Sequence, residues 1–568
     1  MNNLSLLLVL LLVLQVLVSV VACGDGAKVT PSPTEEPTSS PIALPTDTPP
    51  AVPTFTPSPP LTESPTPPPP APTPSATPRC TPIAAPAVSA SEPVFPDPNL
   101  EAAIREAIGK PEKEILKSEV ERLVTLDASN RRIYDLTGIE SCTGLTKLNL
   151  DCNFISDISP LAHLTGLTEL RLKGNRITDI CPLSNLINLT ILDLGLVDTM
   201  ASCFAFEQNQ ITDLSPLANL THLTELNLHG NFVLSDISPL ANLTQLRILD
   251  LGRNAIEDIS PLAGLSNLTW LDLHFNKIRE IPPLPGLTSL AELEIWENEI
   301  ADIAGLADLT ALKKLSIYKN HISDISPLAN LTNLTEIDLR GNLISDIGPL
   351  SRLTHLVKLD LGDNPIKDVS PLAGLTNLTD LSFGGTGVRD ISSLANLTGL
   401  TRLGIGPSSV RDISPLANLT QLTHLWIGSS PLSDISPLVN LGNLTELYLT
   451  RNLITDISPL AHLTGLTCLS LEWNRISDIS PLANLTNLTE LELTGNEISD
   501  ISALSTLANL SRLKLYSNQI EDISPLVRNT GIGAGDSVYL DDNPLSPESR
   551  NEYIPALKQR GVEVTSSQ

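Results

Sequence analysis

Asn320-His-Ile-Ser-Asp-Ile-Ser-Pro-Leu-Ala-Asn-Leu-Thr-Asn-Leu-Thr-Glu-Ile-Asp-Leu-Arg-Gly341 is followed at once by a second copy opening Asn342-Leu-Ile-Ser-Asp-Ile-Gly-Pro-Leu350, and then by a third opening Asn364-Pro-Ile-Lys-Asp-Val-Ser-Pro-Leu372. Tracking the acidic residue before Ile, Leu or Val gives Asp135, Asp157, Asp179, Asp213, Asp236, Asp258, Glu280, Asp302, Asp324, Asp346, Asp368, Asp390, Asp412, Asp434, Asp456, Asp478, Asp500 and Asp522, which is 18 copies. The spacing is 22 throughout, except Asp179 to Asp213 (34) and Asp213 to Asp236 (23). No copy can bury its leucines alone, so a fixed period of this kind means one stacked array and not a string of separate domains.

Within each copy the pattern L-x-x-L-x-L-x-x-N reads as a short strand with inward leucines, followed by a turn whose Asn satisfies backbone groups. An Asn ladder is expected from Asn130, Asn153 and Asn175 to Asn518 and Asn543. Ser-Pro-Leu-Ala-Asn-Leu then opens on a capping serine with proline at the first helical position, predicting a single 3₁₀-like return turn. Strands stacked at ~4.8 Å form one parallel sheet, its arc on the order of 85 Å.

This pattern resembles a leucine-rich repeat, and the 22-residue Asp-Ile-Ser-Pro-Leu version is similar to the internalin type. The resemblance covers about residues 95 to 568. It implies an α/β repeat solenoid, a horseshoe or arc with a parallel β-sheet on its concave face, short 3₁₀ turns on the convex face, and caps at both ends. Asp97-Pro98 starts a helix carrying Leu100, Ile104 and Ile108, so residues 95–125 are assigned to a helical amino-terminal cap. Repeats occupy 126–530, and 531–568 form the carboxy-terminal cap, with a helix after Ser546-Pro547 and an edge at Val562 to Val564.

Upstream, Leu4 to Ala22 is apolar apart from Ser5, Gln15 and Ser19, and it ends in Val20-Val21-Ala22-Cys23-Gly24. That ending resembles a bacterial lipobox. It implies that residues 1–22 are a signal peptide and that Cys23 carries lipid, giving a surface lipoprotein held on a cell membrane by a lipid anchor. An uncleaved membrane anchor is the alternative, and either tethers the chain outside the cytoplasm. The stretch from Pro31 to Pro98 holds 24 prolines, more than one position in three. Such a segment cannot bury a core, so residues 23–94 read as a disordered Pro/Thr/Ser-rich stalk.

The balance of 35 basic and 64 acidic residues, net −29, excludes a basic nucleic-acid binder. The eight histidines include no His-Glu-x-x-His and no metal-ligand spacing. The acidic ladder is one carboxylate per repeat, expected to accept local backbone N–H bonds and not to converge as a calcium cage does. The chain is read as a non-enzyme with no cofactor and no metal. Asn-Leu-Thr sequons such as Asn330 and Asn418 are products of the repeat.

Where the scarce aromatics fall is more informative. Numbering the strand L-x-x-L-x-L-x-x-N, the third, fifth, seventh and eighth positions face or border the concave surface. All four tryptophans, Trp270, Trp296, Trp426 and Trp473, occupy these positions, as do His274, Phe275, Tyr318, Tyr448 and Tyr516. His274 or Phe275, Trp296 and Tyr318 fall on consecutive repeats and should form one column. Exposed aromatics favour partner binding, whereas the alternative is that they fill curvature or cover one another. Asp193, Asp250, Asp272, Glu294, Asp338 and Asp360 hold fifth positions, so a basic or amine-bearing partner would be steered there, unless the acidity only solubilises.

Thr386, Ser408 and Ser430 break the Asn ladder in a stretch rich in Gly384, Gly385, Gly404, Gly406 and Pro407, predicting either a depression or local loosening. Twelve extra residues between Leu196 and Asn209 form an inserted loop whose Cys203 lies on the same edge as Cys152, so these two could pair. Cys142 reads as a buried thiol, while Cys80, Cys181 and Cys468 have no evident mate. Two functions remain open: a cell-surface binding or adhesion module engaging a protein or glycan by its concave face, and a structural envelope component without a discrete ligand. The oligomeric state is left open.

Overall fold

A computed structural model describes residues 93–196 and 208–567. The leader, Cys23, the stalk, Cys80 and the inserted loop with Cys203 lie outside the described residues. Two short helices, α1 (Pro98–Ile108) and α2 (Lys117–Val120), precede a 20-stranded sheet that runs from β1 (Thr125–Asp127) to β20 (Glu563–Thr565). Each strand pairs in parallel with the next in sequence, buried aliphatic opposite buried aliphatic, as Leu249 and Leu271 are in β6 (Ile248–Asp250) beside β7 (Trp270–Asp272). The sheet does not close: β1 pairs only with β2 (Lys147–Asn149), and β20 only with β19 (Ser537–Tyr539).

Every strand is three residues long with its middle side chain buried, because the period-2 pleat aims one residue inward between two that face out. The return side is a stack of 3₁₀ turns such as Ser326–Asn330. It lapses among the described residues at Ile281-Pro282-Pro283, where an isolated bridge, Glu280 to Asp302, replaces it. A second proline disfavours helical geometry in the residue before it. The last repeat turn, α3 (Ser524–Arg528), is α-helical at the same length, and α4 (Ile554–Gln559) precedes the closing strand.

Two ladders of side chains lock the repeats. Asn364 donates Nδ2–H to the carbonyls of Leu339 (2.9 Å), Leu361 (3.1 Å) and Gly362 (3.1 Å), while its Oδ1 accepts from Ile344 N–H at 3.0 Å. The same set recurs from Asn153 to Asn543. It does not begin at Asn130 as expected: Arg131, 22 residues before Asn153, holds the first ladder position, and its N–H donates to Asn153 Oδ1. The 23-residue step leaves another gap, since the extra Phe232 displaces the donor and Asn254 Oδ1 has no partner.

The second ladder corrects the role of serine. Ser326 caps nothing with its hydroxyl; its N–H donates to Asp324 Oδ1 at 2.8 Å, and Asp157, Asp258, Asp368 and Asp478 repeat the bond. Aspartate is the better acceptor for a turn amide because it is charged and short. This bond holds the Asp368 and Asp478 carboxyls below the usual range.

One carboxylate also sews the amino-terminal cap to the array. Asp97, 6% exposed, accepts from Asn99 and Leu100 N–H through Oδ1 and from Tyr134 and Asp135 N–H through Oδ2. It caps α1 and fixes the first repeat at once.

Candidate concave binding face

The third, fifth and seventh positions of each repeat point to the open face of the sheet, with the leucines between them buried behind it. At the seventh position, the pleat and the 22-residue period bring rings from successive repeats into register. His274 and Trp296 stack at 4.1 Å between centroids with 15° between planes, and Trp296 and Tyr318 stack at 4.9 Å and 7°. The column extends at both ends. The Arg340 guanidinium lies 5.0 Å over the Tyr318 ring, and the His229 ring sits 5.2 Å from His274. Gly252, between the two histidines, makes this possible, since a Cβ there would come 2.6 Å from the His274 ring and 2.9 Å from His229 Nδ1.

His274, not Phe275, is the ring that joins. The eighth position has positive φ (55° at Phe275), which swings that side chain out of the column; Phe275 is 45% exposed and lies under Arg253 at 5.5 Å. Trp473, also at an eighth position, is 48% exposed, with Arg451 5.8 Å over its ring. Trp270 stands at the third position, on the opposite side of the strand's midline. Trp426 is 48% exposed opposite Tyr448 of the next strand, whose hydroxyl donates to Glu446 at 3.3 Å. Tyr516 lies 5.6 Å from Tyr539 at the far end. The nine residues therefore form one continuous stack and several separate aromatic points. His229 and Arg340 were missed as members of the stack, although alignment of seventh positions alone would have shown them.

The fifth-position acids have a structural task. Oδ1 of Asp193, Asp250, Asp272 and Asp360 accepts the N–H two residues on, at Gly195, Gly252, His274 and Gly362, at 2.8–3.0 Å. Asn149 and Asn227 do the same at 3.0 and 2.9 Å, so the bond needs a short acceptor and not a charge. Burial pushes the Asp193 and Glu294 carboxyls up, and Asp360 up to about 6. Among the described residues no group of three His, Cys, Asp or Glu side chains could hold a metal ion.

Where the Asn ladder breaks, hydroxyls replace part of it: Thr386 Oγ1 donates to Phe383 O at 2.7 Å, and Ser408 and Ser430 hydroxyls meet at 2.9 Å. The glycines are packed, not loose. A Cβ on Gly384 would come 2.2 Å from Gly406 O, and one on Gly406 2.1 Å from Gly428 O. Among the cysteines, Cys152 is disulfide-bonded, and so is Cys181, for which the sequence offered no mate. Cys142 is a buried thiol, its pKa pushed up to about 12 by burial.

The 22-residue geometry has a counterpart in sequence. The family described as "Leucine Rich repeats (2 copies)" matches residues 121–163, 266–308, 288–330, 310–352, 332–374, 354–396, 442–484 and 486–528, and "Leucine rich repeat" matches 221–278. The chain belongs to the leucine-rich-repeat family. Members of this family mediate protein binding and are typically not enzymes. The leucine-rich-repeat chain is similar to the internalin InlF of Listeria monocytogenes, at 34% identity over 70% of this chain and 96% of that one, with a TM-score of 0.44. It shares its fold with a leucine-rich-repeat protein of Leptospira interrogans (21% identity, 78% and 95% covered, TM-score 0.52). The same holds for the plant peptide hormone receptor RGFR1 in complex with RGF2 (21% identity, 75% and 68% covered, TM-score 0.53). No curated protein matches the chain. Among the described residues no helix is long and apolar enough to cross a membrane.

Proposed function

We propose that this leucine-rich-repeat protein is a non-enzymatic cell-surface binding or adhesion module that takes a protein or glycan ligand on its concave sheet face. One observation carries the reading: the ring column borders the open face, with Trp296 and Tyr318 half-buried and His274 covered at 7% exposure, while core packing in the repeats belongs almost entirely to Leu, Ile and Val. Rings that the core does not require are the usual anchors of an interface. In this reading Cys23 carries a lipid and residues 23–94 hold the array away from the membrane. Cys152 and Cys203 close the inserted loop.

A structural envelope role draws support from the stacking itself, since rings that cover one another offer less surface to a ligand. Affinity capture from cell-envelope mixtures separates the two. The full chain is compared with a Trp270→Ala, Trp296→Ala, Tyr318→Ala variant of equal folding. A saturable partner held by the parent and lost by the variant supports the binding module; identical capture by both favours the structural role.

A further inference from the structure

Carboxylates on the concave face are mostly matched by cations within the chain. Glu169 pairs with Lys147 and Arg171, Asp338 and Asp360 with Arg340, Asp380 with Arg402, Glu490 with Arg512, and Glu492 with Lys514. One stretch departs from this. Along β4 (Ile191–Asp193), β5 (Glu225–Asn227), β6, β7 and β8 (Glu292–Glu294), the fifth position reads Asp193, Asn227, Asp250, Asp272, Glu294 in unbroken register. None of these five strands contains Lys or Arg. Arg171 and Lys173 of the preceding repeat act by their charge on Asp193, at the margin of the stripe. Farther in, the cationic partners seen among the described residues are two imidazoles, His229 at 3.4 Å from Asp250 and His274 at 2.7 Å from Asp272.

The flanks of this stripe differ from the rest of the face too. The third position, which farther along alternates Lys314, Glu336, Lys358, Asp380, Arg402, is here Ile191, Glu225, Ile248, Trp270 and Glu292, with Ile248 40% exposed and Glu292 at the far margin 3.6 Å from Lys314 of the next strand. On the other side runs the His229, His274, Trp296 stack. The result is an acidic floor between an edge of Ile191, Ile248 and Trp270 interrupted by Glu225 and an aromatic edge, lacking the strand cations found elsewhere on the face.

Resting on the concave-face reading above, the geometry points to an extended peptide segment rich in arginine or lysine as the occupant of β4 to β8. Its cations would meet Asp193, Asp250, Asp272 and Glu294, and its apolar side chains would meet Ile248, Trp270 and the ring column. Five strands at ~4.8 Å span about 19 Å, the reach of about six extended residues at ~3.3 Å each. Alternate side chains of such a segment face the floor together. Carboxylates already partly desolvated gain more from an incoming cation than exposed ones do. The non-convergence of these acids disfavours a metal ion as their counter-charge.

The test uses the full chain and two amidated decapeptides, one alternating arginine with valine, the other alternating citrulline with valine, measured by calorimetry and tryptophan fluorescence. The variant is Asp193→Asn, Asp250→Asn, Asp272→Asn, which keeps the turn acceptor as Asn149 and Asn227 do. A charge-matched control, Asp324→Asn, Asp346→Asn, Asp412→Asn, alters the exposed turn ladder instead. The arginine peptide should bind saturably, at least ~10-fold tighter than the citrulline peptide (~1.4 kcal/mol). Affinity should fall about 10-fold in the stripe variant and stay within about twofold in the control. Failure of the arginine peptide to bind, equal binding of both peptides, or equal loss in both variants overturns the inference. If an envelope partner is captured by the stripe variant but lost by the aromatic variant, the concave-face function stands and only the cationic partner falls; if both variants keep it, both readings fall.

Discussion

Two stretches of one sheet solve the same stacking problem differently. From His229 to Arg340 the seventh position is filled by rings and a guanidinium, with Gly252 spared so that two imidazoles can meet. Across β12 (Asp380–Ser382), β13 (Arg402–Gly404) and β14 (His424–Trp426), the seventh position is glycine, the Asn ladder gives way to hydroxyls, and backbone packs on backbone. A repeat array tolerates both because each rung depends only on its neighbours. Side chains carry the contacts in the first stretch, and the absence of side chains permits them in the second.

The largest effect expected from breaking this comparison comes from the intact ladder. Asn364→Ala strands one buried amide and frees three carbonyls, so it should cost about 3 kcal/mol in denaturant unfolding, at roughly 1–3 kcal/mol for each unsatisfied group. Ser408→Ala, in the altered stretch, should cost about 1 kcal/mol or less, since one hydroxyl with a contact to Ser430 and a long bond from Val410 N–H is at stake. Equal losses would mean that hydroxyls serve as well as Asn.

Next comes Gly406→Ala. Its methyl would meet the Gly428 carbonyl, so unfolding should reveal a loss of about 1–3 kcal/mol, the usual cost of overpacking. Gly374→Ala, where a Cβ meets nothing within 4 Å, should be near neutral. If Gly406→Ala is also neutral, the glycines are not holding the repeats together.

At the boundary between the stretches, Asp360 shares Arg340 with Asp338, and burial outweighs that pairing to raise its carboxyl to about 6. A folded pKa above the unfolded value of ~3.9 means the native state binds the proton more tightly. Stability from this group should therefore rise as pH falls from about 7 toward 4 and decline as pH climbs through about 6. Asp360→Asn keeps an acceptor for Gly362 N–H, so it should raise the unfolding midpoint at pH 7 and flatten that dependence. A variant with the parent's pH profile would assign the slope elsewhere, with Asp151, also pushed up to about 6 by burial, as the next to test. The smallest effect is expected at Trp426→Ala. That side chain is 48% exposed, so stability should change by no more than about 1 kcal/mol, while Trp296→Ala loses two stacked neighbours worth ~0.5–1.5 kcal/mol each.

Much of this was legible in the sequence. The repeat period, with its two irregular steps, located β1 to β18, the leucine alternation named the buried face, and the register of Trp296 and Tyr318 put them side by side. Less legible were the roles of side chains that bond to backbone only two residues away. The acidic ladder reads as an acceptor of local N–H bonds, as Asp324 and its equivalents are, but the serine before proline reads as a cap and is the donor instead. The fifth-position acids looked like charge alone, yet each aspartate there also closes a turn.

Sequence by itself determined the columns, because stacking near-identical units turns one repeat length along the chain into adjacency across a sheet. Tertiary structure decided which member of each column touches which. Positive φ at the eighth position turns Phe275 aside and leaves His274 to stack; a missing Cβ at Gly252 lets His229 reach the same stack. From Asp250 to Glu294 the fifth-position acids face imidazoles and each other, because the residues paired with them across the sheet, Asn227 and Ser316 at the two ends, are not Lys or Arg. These outcomes depend on backbone torsion and on atoms from adjoining repeats, which no single repeat encodes.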